Sequence, residues 1–376
     1  MKNISKYKVN KSIIIPIILF AIISVITLHG AESILPSSMK HLINNQITWY
    51  IIGFFLTYFI MTIGNSYIYR ISKILYILGI ISLIGIFFFG ITINDARCWY
   101  EIKGIGTIQP SEFMKIFLII MNASMIAKFN EEYPNPTVKE EFIFLIKISI
   151  IVLIPSILTF LQPDTGVVLI YLLITFFMLF ISGIRYRWFI LLFGIIFLFV
   201  GSVLLVYFTD QDLFIKIFGT SFFLRVDRLL DWSNHSGFQL KNSISSIGSA
   251  GIYGHGLGKN PIYFPEAQTD FIFAVFATEF GFIGSVLLIC LITFFDIKLI
   301  TLALKTNHLI NKYIIAGVVG MLIYQQVQNI GMTFGLLPIT GITLPFISYG
   351  GSSLLSYMLA MGLIFNISNE NIRYTN

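Results

Sequence analysis

The residues in this chain with the means to do chemistry are carboxylates at the edges of apolar runs and charged or amide side chains inside them. Asp270 closes the stretch Tyr263-Phe-Pro-Glu-Ala-Gln-Thr-Asp270, where an apolar segment begins. A helix starting there puts its carboxylate in the first turn, where free N–H groups and the helix dipole hold it ionised and weaken it as a base. A plain cap and a catalytic acid are both open readings. Glu279 follows nine residues later, half a turn out of phase on a helix, so the two acids face opposite ways. They are not an obvious acid/base pair.

Glu112 and Lys115 lie three apart inside another apolar run. An ionised group in a membrane costs about 2.5–3.5 kcal/mol on insertion scales and is usually paired or functional. Gln109, Arg97 and Trp99 precede them. Gln325, Gln326, Gln328 and Asn329 give one later helix a polar face. Arg225 and Arg228 share a face if Asp212–Asp231 is helical; they read as lipid-headgroup contacts or as snorkelling surface arginines. The run Gly248–Gly258 holds five glycines in eleven residues. It lacks the flanking strand of a nucleotide loop and reads as a bend that lets backbones pack closely.

These residues must be positioned by membrane helices. The chain has 376 residues, 56% hydrophobic and 11% charged, with 37 Phe and 18 Tyr. Soluble domains carry about 25% charged residues, so a soluble enzyme, a disordered chain and a disulfide scaffold are excluded. Uncharged stretches predict an all-α polytopic membrane protein with about ten helices near 12–29, 46–64, 74–92, 111–128, 143–161, 165–183, 188–208, 270–294, 313–335 and 351–368. The first is read as an uncleaved span, because no small-residue cleavage site follows it. Residues 1–376 form a single transmembrane domain, and 209–269 is its long extracellular loop between the seventh and eighth helices.

Orientation follows from the basic residues. With the N-terminus inside, 15 of the 24 fall on the inner side, and five of the other nine lie in the long loop, which the positive-inside rule does not constrain. Both termini are therefore predicted to be cytoplasmic, and the net charge of +6 reflects topology rather than affinity for nucleic acid. Cys98 and Cys290 fall at opposite ends of this map and form neither a disulfide nor a metal site. The polar runs gather on the outer face, with the Gly/Pro-broken connector Leu336–Gly350, as an outward polar cavity. An enzyme acting on a lipid-linked substrate and a transporter both fit. Without a convincing internal repeat, the enzyme leads.

The motifs then carry a resemblance. Trp99, Gln109-Pro-Ser-Glu-Phe-Met-Lys115, Gln162-Pro-Asp-Thr-Gly166, Gly254-His-Gly-Leu-Gly258, Pro265–Ala274, Glu279–Gly284 and Asn329–Ser353 occur in order. The chain resembles the SEDS family (shape, elongation, division and sporulation), the RodA, FtsW and SpoVE-like proteins of bacteria. It departs at Ala250-Gly-Ile, at His255, at Thr278 before Glu279, and at Thr165. Asn329-Ile-Gly-Met-Thr resembles the RodA subgroup and Pro265–Asp270 the FtsW and sporulation relatives; RodA is favoured.

The resemblance implies a peptidoglycan glycosyltransferase of the bacterial plasma membrane. Such an enzyme polymerises lipid II, works with a class B penicillin-binding protein as transpeptidase, and serves elongation or division machinery. A lipid II flippase is the alternative. The resemblance makes Asp270 the catalytic acid and implies a divalent cation, Mg or Mn, with no ligands assigned. Trp99, Arg97, Glu112, Lys115, Arg225, Gln109 and Ser348 are the substrate-binding candidates.

Overall fold

A computed structural model describes residues 9–35, 41–93, 96–102, 106–220, 222, 223, 226 and 237–374. Its helices are α1 Lys11–Glu32, α2 Leu42–Ile63, α3 Asn65–Arg70, α4 Ser72–Phe89, α5 Pro110–Glu132, α6 Val138–Phe160, α7 Thr165–Ile181, α8 Tyr186–Thr209, α9 Gln211–Phe218, α10 Phe238–Ser249, α11 Ile272–Lys305, α12 Leu309–Thr333 and α13 Gly351–Tyr374. Eight of them are long and apolar enough to cross a membrane. The 17-residue α7 and the less apolar α5 complete the ten predicted spans. The chain is a multi-pass membrane protein.

The bundle is inside-out relative to a soluble protein. Large apolar side chains such as Phe55, Phe88 and Phe197 are exposed, whereas Gln46, Asn65, Asn122, Gln325, Asn329 and Asn366 are buried. Lipid tails solvate the former; the latter need protein partners. α5, α12 and most of α13 form the buried centre. Small residues bring α2 and α13 together: a Cβ on Gly53 would meet Met358 at 2.8 Å, and one on Gly362 would meet Ile60 at 2.7 Å. Side-chain hydrogen bonds lock that seam, with Thr57 donating to the Met358 carbonyl at 2.8 Å and Asn366 to that of Ile60 at 3.1 Å. On α8, by contrast, only Val203 and Tyr207 are buried, packed with Phe214 of α9.

Three findings correct the helical map. The connection between α4 and α5 holds a small antiparallel sheet, β1 Ile91–Ile93, β2 Ala96–Ile102 and β3 Gly106–Ile108, in the order β1-β2-β3. Trp99 pairs with Ile91 and Tyr100 with Ile108. In the long loop, α9 falls at the start of the Asp212–Asp231 stretch read as helical, and α10 is a helix the map did not contain. The eighth span begins at Ile272 and runs to Lys305, eleven residues beyond its predicted end. Arg225 and Arg228 lie outside the described residues.

Candidate active site

Asp270 does not stand in the first turn of α11. The helix starts at Ile272 with Phe271 at its N-cap, and no side chain caps it. Four residues upstream, Glu266 turns the chain with a φ of 56°, a left-handed value that costs a non-glycine residue energy. The N–H groups of Thr269 and Phe271 both donate to its carbonyl, at 3.2 and 3.1 Å. This turn leaves Asp270 one residue before the N-cap, where its carboxylate caps no N–H of α11. Burial, and next the negative charge of Glu266, push its carboxyl up to about 7, opposite to the depression expected for a capping acid. Its carboxylate accepts no hydrogen bond among the described residues.

The position of Asp270 is held through its backbone. Asn329, from the polar face of α12, donates to the Asp270 carbonyl at 2.9 Å and to the Ile342 carbonyl at 2.8 Å. Ser348 donates to the Thr269 carbonyl at 2.6 Å and accepts from the Leu344 N–H at 2.8 Å. The Ser348 hydroxyl thus clamps the connector onto the chain next to Asp270. Gly341, exposed and with φ 70°, leaves open the space beside the acid: a Cβ there would lie 3.7 Å from Asp270 Oδ2.

A second cluster borders the same connector. Lys115 Nζ lies 2.6 Å from Glu112 Oε2 with both side chains buried. The lysine also sits over the Tyr357 ring, 5.2 Å from its centroid. Gln109 donates to Asp164 Oδ2 at 2.8 Å, and Asp164 caps α7 through the Val167 N–H at 3.2 Å. Burial raises the Asp164 carboxyl to about 6, although the Val167 N–H, Lys115 and Ser111 lower it. The connector bridges both clusters. A Cβ on Gly166 would strike the Thr340 carbonyl at 2.7 Å, and Thr343 Oγ1 is 3.5 Å from the Tyr357 hydroxyl. The connector 336–350 thus has a lone acid on one side and a buried ion pair on the other.

The sheet residues behave differently. Cys98 and Tyr100 turn towards the bundle, where the Cys98 thiol donates to the Gln162 carbonyl at 2.7 Å and the Tyr100 hydroxyl to that of Ser82 at 2.8 Å. Strand alternation then sets Arg97 and Trp99 on the other face. Trp99 is half-buried. The Arg97 guanidinium is spent on the end of α4, donating to the Gly90 and Phe88 carbonyls at 2.9 and 3.3 Å. It is not brought to Asp270. The residues missed by the sequence reading are Asp164 and Tyr357. The Asp-Thr-Gly at the start of α7 was a visible capping signal for Asp164, whereas nothing local marks Tyr357.

The glycine-rich run is a structural seam, as its composition suggested. At Gly281 the backbone of α11 leaves the helix, with φ 64° and ψ −160°. The N–H groups of His255 and Gly256 donate to the carbonyls of Thr278 and Glu279 at 2.9 and 3.0 Å, while those of Phe282 and Ile283 donate to Gly251 and Ile252 at 3.1 and 3.2 Å. The loop thus satisfies the carbonyls of 278 and 279 and the N–H groups of 282 and 283 on either side of the break. Glu279 is spent here too, accepting from the Gly258 N–H at 2.8 Å and from Asn260 at 3.1 Å.

Fold and site together define a polytopic membrane protein with buried and half-buried carboxylates gathered around one irregular connector of its bundle. The chain belongs to the family described as cell cycle protein, FTSW_RODA_SPOVE, whose pattern matches residues 10–373. It is 35% identical over 313 residues, 80% of this chain and 73% of the relative, to the "Probable peptidoglycan glycosyltransferase FtsW" of Bacillus subtilis (strain 168). It is 34% identical over 330 residues, 84% of each chain, to "Stage V sporulation protein E" of the same organism. These relatives lie on the side of the family that the Pro265–Asp270 run resembles. Among solved structures, a chain from "Structural coordination of polymerization and crosslinking by a peptidoglycan synthase complex" matches with a TM-score of 0.80 at 25% identity, covering 96% of this chain and 98% of that one. The rod shape determining protein RodA of Thermus thermophilus shares the fold, with a TM-score of 0.70 at 24% identity over 97% and 98% of the two chains.

Proposed function

We propose that this chain is a peptidoglycan glycosyltransferase that polymerises lipid II at the outer face of the plasma membrane. The observation that carries the reading is Asp270: a half-buried carboxyl beside the exposed Gly341, with no hydrogen bond to it among the described residues, raised to about 7 by burial and by Glu266. A base with a pKa near the working pH combines the right protonation state with useful proton affinity. In the proposed step, the 4-hydroxyl of the acceptor's GlcNAc attacks the anomeric carbon of the lipid-linked donor. The new C–O bond forms with inversion as the bond to the diphosphate breaks, and the hydroxyl proton passes to Asp270. Lys115 and Glu112 with Gln109 and Asp164, across the connector, and Trp99 and Arg97 of β2 are the proposed substrate contacts, and Ser348 positions the acid's backbone.

A divalent cation, Mg or Mn, suits the same place. Glu266 stands close enough to raise the proton affinity of Asp270, and Mg is commonly held by one or two carboxylates together with substrate phosphates. Holding the cation is the alternative role for Asp270: with Glu266, whose Oε2 accepts from Thr269 Oγ1 at 2.7 Å, it would bind the ion instead of taking the proton, and the ion's charge would offset that of the departing diphosphate. Residues 1–376 act as one transmembrane domain with both termini cytoplasmic, a reading that rests on the distribution of basic residues. A class B penicillin-binding protein is the proposed partner, supported by the likeness to a chain from a peptidoglycan synthase complex; elongation or division machinery would recruit the pair. The test is glycan formation from lipid II by the purified protein with its transpeptidase, in detergent where no translocation step exists. Absence of polymer from the wild-type pair overturns the reading.

A further inference from the structure

The opposite end of the bundle holds a cavity of about 540 Å³ between α4, α5 and α6. Its charged lining is Lys73, Lys128 and Lys147 against Glu132 and Glu140; the remainder is mostly apolar, including Met121, Met125 and Ile150. Both carboxylates are engaged. Glu132 pairs with Lys128 at 3.4 Å, and Glu140 closes the capping box of α6, accepting from the Thr137 N–H at 2.6 Å. Lys73 and Lys147 have no carboxylate within ion-pair distance among the described residues.

Lys147 is the informative one. It lies nine residues into α6, about 14 Å along the axis, within the apolar stretch 142–160. A lysine inside a span is costly and normally has a stated partner. This one is exposed on a groove, and its long side chain reaches towards the end where Lys73 opens α4 and Lys128 closes α5. Paired ammonium groups above an apolar trough match a molecule with a phosphodiester head and acyl tails. Basic pockets between membrane helices bind such headgroups.

We propose that this groove is a binding site for an anionic glycerophospholipid of the leaflet bordering that end, its phosphodiester on Lys73 and Lys147 and its acyl chains along Met121, Met125 and Ile150. The experiment is native mass spectrometry of the full chain after exchange in mixed micelles of phosphatidylglycerol and phosphatidylcholine. Wild type retains phosphatidylglycerol at least about tenfold over phosphatidylcholine, and Lys73→Gln with Lys147→Gln lowers retention about fivefold per lysine. Lys73→Arg with Lys147→Arg preserves it, as does Lys298→Gln with Lys305→Gln on α11. Equal retention of the two lipids by wild type overturns the proposal, even if the glutamine variant fails to fold. So does unchanged retention in that variant, or displacement of the lipid by millimolar inorganic phosphate, which would reduce the site to a simple anion pocket.

Discussion

Asp270 and Glu279 flank one short helical segment and have opposite fates. Glu279 is buried and accepts two hydrogen bonds from the loop 258–260. Asp270 is half-buried, accepts none, and is held only by its backbone. The Glu279 carboxylate ties its Oε1 to the loop through Gly258 and Asn260 and so stabilises structure, whereas the Asp270 carboxylate has no donor on it among the described residues and stays available to a substrate. The contrast separates the acid that builds the site from the acid that can work in it.

The largest test is Asp270→Asn. The side chain caps nothing and bonds nothing, so membrane expression should stay near wild type while polymerisation falls at least about a hundredfold, within the 10²–10⁴ range of general acid–base catalysis. Lipid II polymerisation at matched protein level measures it, and substantial glycan from the variant would remove the catalytic assignment.

Next comes pH. The rate should climb about tenfold per unit below the Asp270 value of about 7 and level off above it. Stability should run the other way. The folded state keeps a proton that the unfolded chain releases at its ordinary 3.8, so Tm falls as pH rises from there to about 7. Asp270→Asn should reduce that slope, most clearly between about pH 6 and 7, because Asp164, raised to about 6, contributes the same sign below that; an unchanged slope between about pH 6 and 7 would remove Asp270 as its source.

Gly254→Ala should act on Glu279's side of the comparison. The new Cβ would lie 2.2 Å from the Glu279 carbonyl oxygen at a φ of +79°. The strain alone is about 1–3 kcal/mol, read as lower expression and Tm. Glu279→Gln should change least, by about 1 kcal/mol or less, because an amide oxygen still accepts from Gly258 and Asn260. Its specific activity should stay within a few-fold of wild type, and a hundredfold loss would place Glu279 in the chemistry after all.

The spans were legible because twenty apolar residues in a row leave a chain little choice, and α4 and α6 agree with their predicted limits to within a few residues. The polar face Gln325–Asn329 was also legible, since amides have no business facing lipid. What escaped was set by long-range contact. The turn at Glu266 that pulls Asp270 off its helix depends on the packing of 334–350, held from α12 by Asn329. The sheet at 91–108 is three short strands closed by one another, with Cys98 and Tyr100 docking on α6–α7 and α4. Tyr357 meets Lys115 across 242 residues of sequence. Family resemblance singled out Asp270 where local pattern saw a cap, and the structure reversed the physical reason for it.

The stitched break in α11 bears on how this region tolerates change. Surface loops ordinarily accept added or deleted residues, and a stretch with five glycines would pass for one. Yet Gly251, Ile252, His255 and Gly256 supply the partners that residues 278–283 would otherwise find within their own helix. One residue inserted between Gly251 and Gly256 shifts those pairings out of step and orphans backbone groups at membrane depth. The segment is thus a loop by shape and a piece of helix by obligation, and its length is fixed as tightly as that of any span.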